Sequence, residues 1–349
     1  MHDIRPQEVV DPWSSEQIIT CHDKNTGLRA VVAIDDTTLG PGFGGVRLGE
    51  YPTAQAAIVE AQRLAAAMTL KHALAELPYG GAKSVIMLDG SAPTGAARER
   101  LFAAFGQFLA RSPELYIPGV DMGTTLADMV TISDQGVTVY CAEHEPSPWT
   151  ARGVHAALRA GAAHTLGTDD LAGVRISIQG AGSVGAALAR LVAADGARVL
   201  ISDIDSDRAD RVAESVDGLA IDPGDAPFAR CDIFAPCAIA RVVTADSVDR
   251  LQCRLIIGAA NDALDSPAVA DLLHVAGITV VPDYVANAGG AIHEHARAMG
   301  WDEERLAEDV DRIGERVTRL LQSAQSSNEP PATVAGRLAA ERLAAAGDV

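Results

Sequence analysis

The sequence predicts an α/β protein folded as two domains. Three observations support this. Residues 174–203 read as strand, Gly-x-Gly-x-x-Gly turn, helix and second strand, ending on Asp203. Strand-like and helix-like stretches alternate on both sides of a Pro-rich break at residues 141–150. The chain has 349 residues, enough for two cores. The break sets the first domain at residues 1–145 and the second at 146–325.

Hydrophobic residues make up 48% of the chain and charged ones 21%, a balance that excludes disorder. Aromatics are only 4%, so Ala, Val, Leu and Ile must build the cores. The net charge of −19 makes nucleic acid and anionic membranes poor partners. The five cysteines (Cys21, Cys141, Cys231, Cys237, Cys253) are odd in number and scattered, without a CxxC, as reduced cytoplasmic thiols would be. Residues Met1–Pro6 show no apolar signal segment, and no apolar run nears the roughly 18 residues of a membrane span.

In chain order, Ile18–Cys21 and Leu28–Ile34 read as strands joined by a turn at Lys24–Gly27. The Gly-rich stretch Leu39–Arg47 reads either as a flexible loop or as backbone able to approach a ligand closely. Thr53–Ala75 has apolar residues at helical spacing. A short strand at residues 84–88 and a helix near 95–110 follow, and Leu115–Thr125 reads as a strand ending in a loop at Asp121. Beyond the break, a helix covers Ala151–His164. Val174, Ile176 and Ile178 alternate with polar residues, then come Gly180, Gly182 and Gly185, a helix over Ala186–Ala194 and a strand over Ala197–Ser202. Ile233–Ala235, Leu255–Ile257 and Ile278–Val281 read as buried parallel strands. Ser266-Pro267 marks a helix start, cap followed by N1 proline. A helix runs from Gly290 to about Met299, and one long helix covers about 303–324. Residues 326–331 break the chain before a final Ala/Leu/Arg helix.

The turn at 180–185 follows a strand, opens a helix and precedes Asp203. That context fits a dinucleotide fingerprint, with the pyrophosphate at the helix N-terminus and Asp203 on the ribose hydroxyls, hence NAD rather than NADP. In the first domain, Lys71 and Lys83 flank Pro78-Tyr-Gly-Gly81. They are either surface lysines beside a turn or two ammonium groups facing one pocket. In the second case burial and mutual repulsion lower their pKa values, and a lysine near neutrality is a usable general base. Two lysines, a loop aspartate and a dinucleotide site suit hydride transfer coupled to proton transfer at a carbon bearing an amine. His293 and His295 are expected to be solvated histidines rather than metal ligands, since i, i+2 residues leave a helix on different sides. No metal is implied. Cys237 is expected to be a structural thiol.

Several motifs together carry a resemblance: Gly42–Arg47, Arg63–Lys71, Gly80–Lys83, Asp121–Thr125, Ser147–Gly153, Gly180–Gly185, Phe234–Ala238, Gly258–Asn261 and Pro282–Gly290. In this order they are similar to the leucine/phenylalanine/valine dehydrogenases of the amino-acid dehydrogenase superfamily, from about residue 14 to 320. The resemblance implies a substrate domain, then a Rossmann domain, a cleft between them and a terminal helix (326–349) returning to the first. It implies NAD, a homo-oligomer and a small amino-acid substrate. It assigns Lys83 as the base that activates water, Asp121 as the group handling protons at the substrate nitrogen, and Lys71 as the carboxylate ligand. Asn287 helps hold the carboxylate, and Gly45, Met68 and Phe43 line the substrate. Gly180, Gly182, Ser183, Val184, Gly185 and Asp203 hold the cofactor, together with Thr150, Ala259, Asn261 and Asn287.

The chain departs from the family pattern at Ala82, which places a methyl beside the base, at Ala240 and Arg241 near the cofactor, and at Val46. These departures motivate an alternative, a non-catalytic NAD or amino-acid sensor; intact Lys71, Lys83 and Asp121 argue against it. Phe43 cannot pair a side-chain carboxylate, which favours an apolar substrate. Phe43, with Val317 and Leu320, would narrow the pocket toward branched aliphatic side chains, whereas Met68–Lys71 and Leu77-Pro78 look like phenylalanine-type members.

Overall fold

The computed structural model describes residues 11–140 and 145–347. The N-terminal segment 1–6, Cys141 and the first part of the expected hinge, 141–144, lie outside the described residues. The chain divides into two compact units, Met1–Glu145 with Glu341–Val349, and Pro146–Ala340.

In the first unit, β1 (Gln17–Asp23), β2 (Leu28–Asp36), β3 (Gly42–Glu50), β4 (Gly80–Leu88) and β5 (Tyr116–Val120) form one sheet in the order β1-β2-β4-β3-β5. β1 and β4 run antiparallel to β2, while β3 runs parallel to β4 and β5. Helices α1 (Ala54–Leu74), α2 (Gly95–Leu109) and α3 (Leu126–Ser133) accompany it. α1 starts where Thr53 Oγ1 accepts the Ala56 N–H at 3.1 Å. Its Ala57, Ala61 and Ala65, spaced by four, pack on Val31, Ala33 and Val85 of the sheet. On the opposite face Val46, Leu48, Ala82 and Ile86 pack on Phe102, Phe105, Met129 and Ile132. Phe102 and Phe105 are fully buried, and truncating either to alanine costs about 3–5 kcal/mol.

Two expectations change here. From Gly42 on the glycine-rich stretch is a strand, β3, inside the sheet, while its first residues, Leu39–Pro41, form a turn, and Gly80 and Gly81 are not turn residues but the start of β4. Glycine makes both possible. A Cβ at Gly44 would collide with the Ala82 carbonyl, and one at Gly81 with Thr69 of α1. Close approach of backbones, invisible to strand propensity, decides these strands.

The second unit contains α4 (Ser147–Leu166), β6 (Arg175–Gln179), α5 (Ser183–Ala194), β7 (Arg198–Ser202), α6 (Ser206–Ser215), β8 (Leu219–Ala220), β9 (Ile233–Pro236), β10 (Leu255–Ile256), α7 (Pro267–Val275), β11 (Thr279–Val280), α8 (Asp283–Ala286), α9 (Gly289–Ala298), α10 (Glu303–Asp311) and α11 (Ile313–Ser327). Its strands form a parallel sheet in the order β11-β10-β9-β6-β7-β8. α12 (Pro331–Gly347) is divided between the units, and its Arg342 donates to the carbonyls of Ala73 (2.8 Å) and Leu77 (3.3 Å) at the end of α1.

Other boundaries also move. α4 begins at Ser147, so the second part of the expected hinge is helix, entered through Pro148 in its first turn. The expected long helix at 303–324 is interrupted at Arg312, beside Gly314, where α11 meets Ala156 of α4. β11 is an edge strand whose Thr279 and Val280 are half-buried rather than fully covered. His293 and His295 are not solvated. They are 1% and 9% exposed, His293 paired with Glu294 at 2.8 Å and stacked on Trp149, His295 edge-on to Trp301. Counting spacing on the helix could not show that aromatic rings cover both sides of α9. Among the described residues no cluster of three metal-ligating side chains occurs.

Candidate active site

Parallel register assembles the first group of residues. Val46 pairs with Ser84 on one side and with Val120 on the other. Side chains alternate along a strand, so Gly45, Arg47, Lys83 and Asp121 all face α1, away from Val46 and Ala82. The Ala82 methyl therefore does not touch the base, contrary to expectation; it lies in the core on the other face, fully buried.

Lys83 Nζ donates to Asp121 Oδ2 at 3.1 Å, and Arg47 Nε donates to the same oxygen at 2.8 Å. A Cβ at Gly45 would lie 2.7 Å from Asp121 Cβ and 3.1 Å from Lys83 Nζ, so any side chain there would press on both. Lys83 is 6% exposed. Burial pushes its pKa down, Asp121 pushes back, and Arg47 lowers it again. The cation bearing most on Lys83 is thus Arg47, whereas the sequence pointed to Lys71. Burial alone would raise the Asp121 carboxyl, but Lys83 and Arg47 outweigh it and hold it below the usual carboxylate range. The site can therefore keep an anion beside a lysine that sheds its proton readily.

Lys71 and Met68 lie in the last turns of α1, and Thr69 between them packs on Gly81, two residues before Lys83. Met68 Cγ lies 3.4 Å from where a Gly44 Cβ would stand. Phe43 is pinned by aromatic neighbours: stacked on His72 (centroids 5.1 Å) and edge-on to Tyr79 (5.5 Å) and Tyr140 (4.9 Å). His72 Nδ1 donates to the Gly80 carbonyl at 2.8 Å, while its buried Nε2 has no partner among the described residues. Burial pushes this imidazole down to about 3.

In the second unit the glycine turn sits at the carboxyl end of β6. A Cβ at Gly185 would strike the Gly180 carbonyl, so α5 packs against the strand only with glycine there. Gly182 caps α5 without any side-chain hydrogen bond and has open space around it. Ser183 and Val184 already belong to α5. Asp203 accepts the Ala181 N–H at 2.8 Å and the Asp205 N–H at 3.0 Å, which ties the end of β7 to the turn. Gly180 lies against Ala238, and the Ala259 and Ala260 N–H groups both reach the Pro236 carbonyl at 2.9 Å. Asn287 donates to Ala259 O at 3.0 Å and Asn261 Oδ1 at 2.9 Å, while its buried Oδ1 accepts from no described residue. Thr150 lies beside Gly290. Of the expected cofactor residues, Gly180–Gly185, Asp203, and Ala259 with Asn261 follow the carboxyl ends of β6, β7 and β10, where open α/β sheets bind ligands, while Thr150 lies in α4 and Asn287 follows α8. The bare helix N-terminus, the glycine cradle and the orphaned Asn287 oxygen suit a dinucleotide. Near this row the backbone is left-handed at Arg241 (φ 58°) and at Asp262 (φ 52°). Burial pushes the Cys237 thiol up to about 12, which suits a structural role.

Residues 15–137 match the family described as Glu/Leu/Phe/Val dehydrogenase, dimerisation domain, and residues 205–349 match Glutamate/Leucine/Phenylalanine/Valine dehydrogenase. The chain belongs to the Glu/Leu/Phe/Val dehydrogenase family. It is accordingly an amino-acid dehydrogenase, an oxidoreductase acting on a CH–NH2 group. It is 38% identical over 340 residues to leucine dehydrogenase of Bacillus subtilis (strain 168), covering 96% of this chain and 93% of that one. It is 34% identical over 350 residues to phenylalanine dehydrogenase of Thermoactinomyces intermedius, covering 98% and 95%. The crystal structure of L-tryptophan dehydrogenase from Nostoc punctiforme superposes with a TM-score of 0.82 at 32% identity, covering 96% of this chain and 98% of that one. Within this dehydrogenase, sequence reasoning gave Arg47 no role, although an arginine amid buried strand residues is a signal that an acid lies near.

Proposed function

We propose that the protein catalyses the reversible, NAD-dependent oxidative deamination of an apolar L-amino acid, with branched aliphatic side chains preferred, to the 2-oxo acid and ammonia. The observation that carries this reading is the buried contact of Lys83 Nζ with Asp121 Oδ2 at 3.1 Å beside the bare backbone of Gly45. In this reading Lys71 holds the substrate carboxylate and Asp121 exchanges protons with the substrate nitrogen. Bound NAD, held by the Gly180–Gly185 turn, Asp203 and the Asn287 group, supplies the acceptor for the hydride leaving the α-carbon. Lys83 then removes a proton from the water that adds to the resulting imine carbon. That proton passes through Asp121 to the nitrogen, and as the C–N bond breaks to release ammonia the again neutral Lys83 takes the proton of the new hydroxyl, leaving the 2-oxo acid. The Phe43 ring, fixed by His72, Tyr79 and Tyr140, offers no partner to a side-chain carboxylate. The match of residues 15–137 to a dimerisation domain supports self-association of the first unit.

The test is NADH formation from NAD with leucine, valine, isoleucine, phenylalanine and glutamate. The highest kcat/KM is expected with a branched aliphatic substrate, and glutamate is expected to be inert. Preferred turnover of glutamate, or no turnover of any of the five, would end this reading.

A further inference from the structure

Arg47 is a buried guanidinium, 7% exposed, for which the chemistry above has no task. Its Nε donates to Asp121 Oδ2 and its Nη1 donates to Glu60 Oε1 at 2.7 Å. The other Glu60 oxygen accepts from Arg63 Nε at 3.0 Å and Nη2 at 2.8 Å. With Lys83 on the same Asp121 oxygen, a row of alternating charge runs Arg63, Glu60, Arg47, Asp121, Lys83. An isolated buried Asp–Lys pair would hold the ammonium charged, because a proton lost from lysine leaves the carboxylate without a partner. Arg47 changes that balance, since Asp121 keeps a cation whether or not Lys83 is protonated. Both donors also take Oδ2, and no described residue donates to Oδ1.

We propose that Arg47, anchored by Glu60, is a positioning residue for proton transfer: it grips Asp121 through Oδ2, leaves Oδ1 for the substrate nitrogen, and keeps the carboxylate satisfied while Lys83 acts as a neutral base. This rests on the roles given to Lys83 and Asp121 above. The charged and titratable groups on the elements packed against Lys83 are Arg29, Asp35 and Asp36 on β2, Arg47 and Glu50 on β3, Tyr51 after it, Glu60, Arg63, Lys71 and His72 on α1, Tyr116 on β5 and Asp121 after it. Burial pushes Tyr51 up to about 12, so it stays neutral. Glu60, like Asp121, favours the Lys83 ammonium, and Arg47 is the cation that opposes them and whose removal Lys83 would feel. Deleting it makes the Lys83 ammonium easier to keep. The base works deprotonated, so the acid limb of kcat/KM must move to higher pH.

The test compares pH profiles of kcat and kcat/KM for leucine oxidation in wild type, Arg47→Met, Arg47→Lys and Lys83→Ala. Arg47→Met is expected to move the acid limb up by about one to three pH units and to lower kcat by about 10²-fold. Arg47→Lys keeps the charge but not the fork, so its limb stays near wild type while its kcat falls less. Arg47→Gln replaces the methionine variant if circular dichroism shows that variant unfolded. A neutral variant that folds and keeps the wild-type limb overturns the proposal, whatever its kcat, because a purely structural arginine would lower activity without moving the profile. If Lys83→Ala is inactive in that case, the site assignment stands and only the role of Arg47 falls. An active Lys83→Ala overturns both.

Discussion

In the first unit the candidate catalytic atoms are charged side chains delivered by separate strands, β3, β4 and the end of β5, and each is defined by its neighbours. In the second unit the candidate cofactor atoms are mostly backbone groups within one turn, residues 180–185, together with the asparagine that follows α8. The first arrangement buries two cations, Lys83 and Arg47, on one carboxylate oxygen of Asp121, with Glu60 behind the guanidinium; the second buries almost none and leaves a helix terminus bare. Proton transfer needs titratable groups whose pKa values are set by burial and by each other. Holding a pyrophosphate needs oriented N–H groups and the absence of side chains. Substitutions that add or remove charge should therefore act most strongly in the first unit, and substitutions that add volume should act in the second.

The sharpest break of this contrast is Asp121→Asn. It leaves Lys83 and Arg47 with no anion between them, and kcat is expected to fall by about 10²–10⁴-fold. Unfolding in urea should show a loss of about 3–5 kcal/mol, the usual cost of removing one partner from buried ions. Gly185→Val adds volume without charge where a Cβ already meets the Gly180 carbonyl. It is expected to cost about 1–3 kcal/mol of stability and to weaken NADH binding, read by fluorescence titration. Asp203→Asn keeps the shape but takes the charge from the acceptor of the Ala181 and Asp205 N–H groups. NADH affinity is expected to fall by about tenfold, near 1.4 kcal/mol. An equal loss of kcat with saturating NAD would blur the distinction between the units.

The smallest effect concerns His72, a buried neutral group in the charged half. In the folded protein burial keeps it deprotonated down to about pH 3, while the unfolded chain takes up a proton below about 6.5. The unfolded state therefore binds more protons between these values, and stability falls as pH drops through that window. The slope from this residue is up to about 1.4 kcal/mol per pH unit. His72→Gln should remove that part of the slope in urea midpoints compared at pH 7 and pH 5. An unchanged slope would mean that the imidazole is protonated in the folded state.

Much of both units was legible because the signals are local. α1 announces itself by apolar residues at helical spacing over Thr53–Ala75, and the turn at 180–185 by a strand before it and an acid after it. The errors fall where distant residues decide. Gly42–Arg47 looks like a loop until β4 and β5 lie on either side of it, and His293 looks solvated until Trp149 stacks on it. The Ala82 methyl looks adjacent to Lys83 because it is adjacent in sequence, yet strand alternation sends the two to opposite faces.

The amino-acid order alone determined which chemical groups are available: two lysines near a glycine pair, an aspartate at a strand end, and a glycine turn shaped for a dinucleotide. Only the tertiary structure decided that Arg47 and Lys83 meet on one oxygen of Asp121, and so which cation bears on Lys83. The reason is physical. Backbone shape is set by the glycines within a few residues, whereas a buried charge takes its energy from every charge within a few ångströms, however far away in the chain.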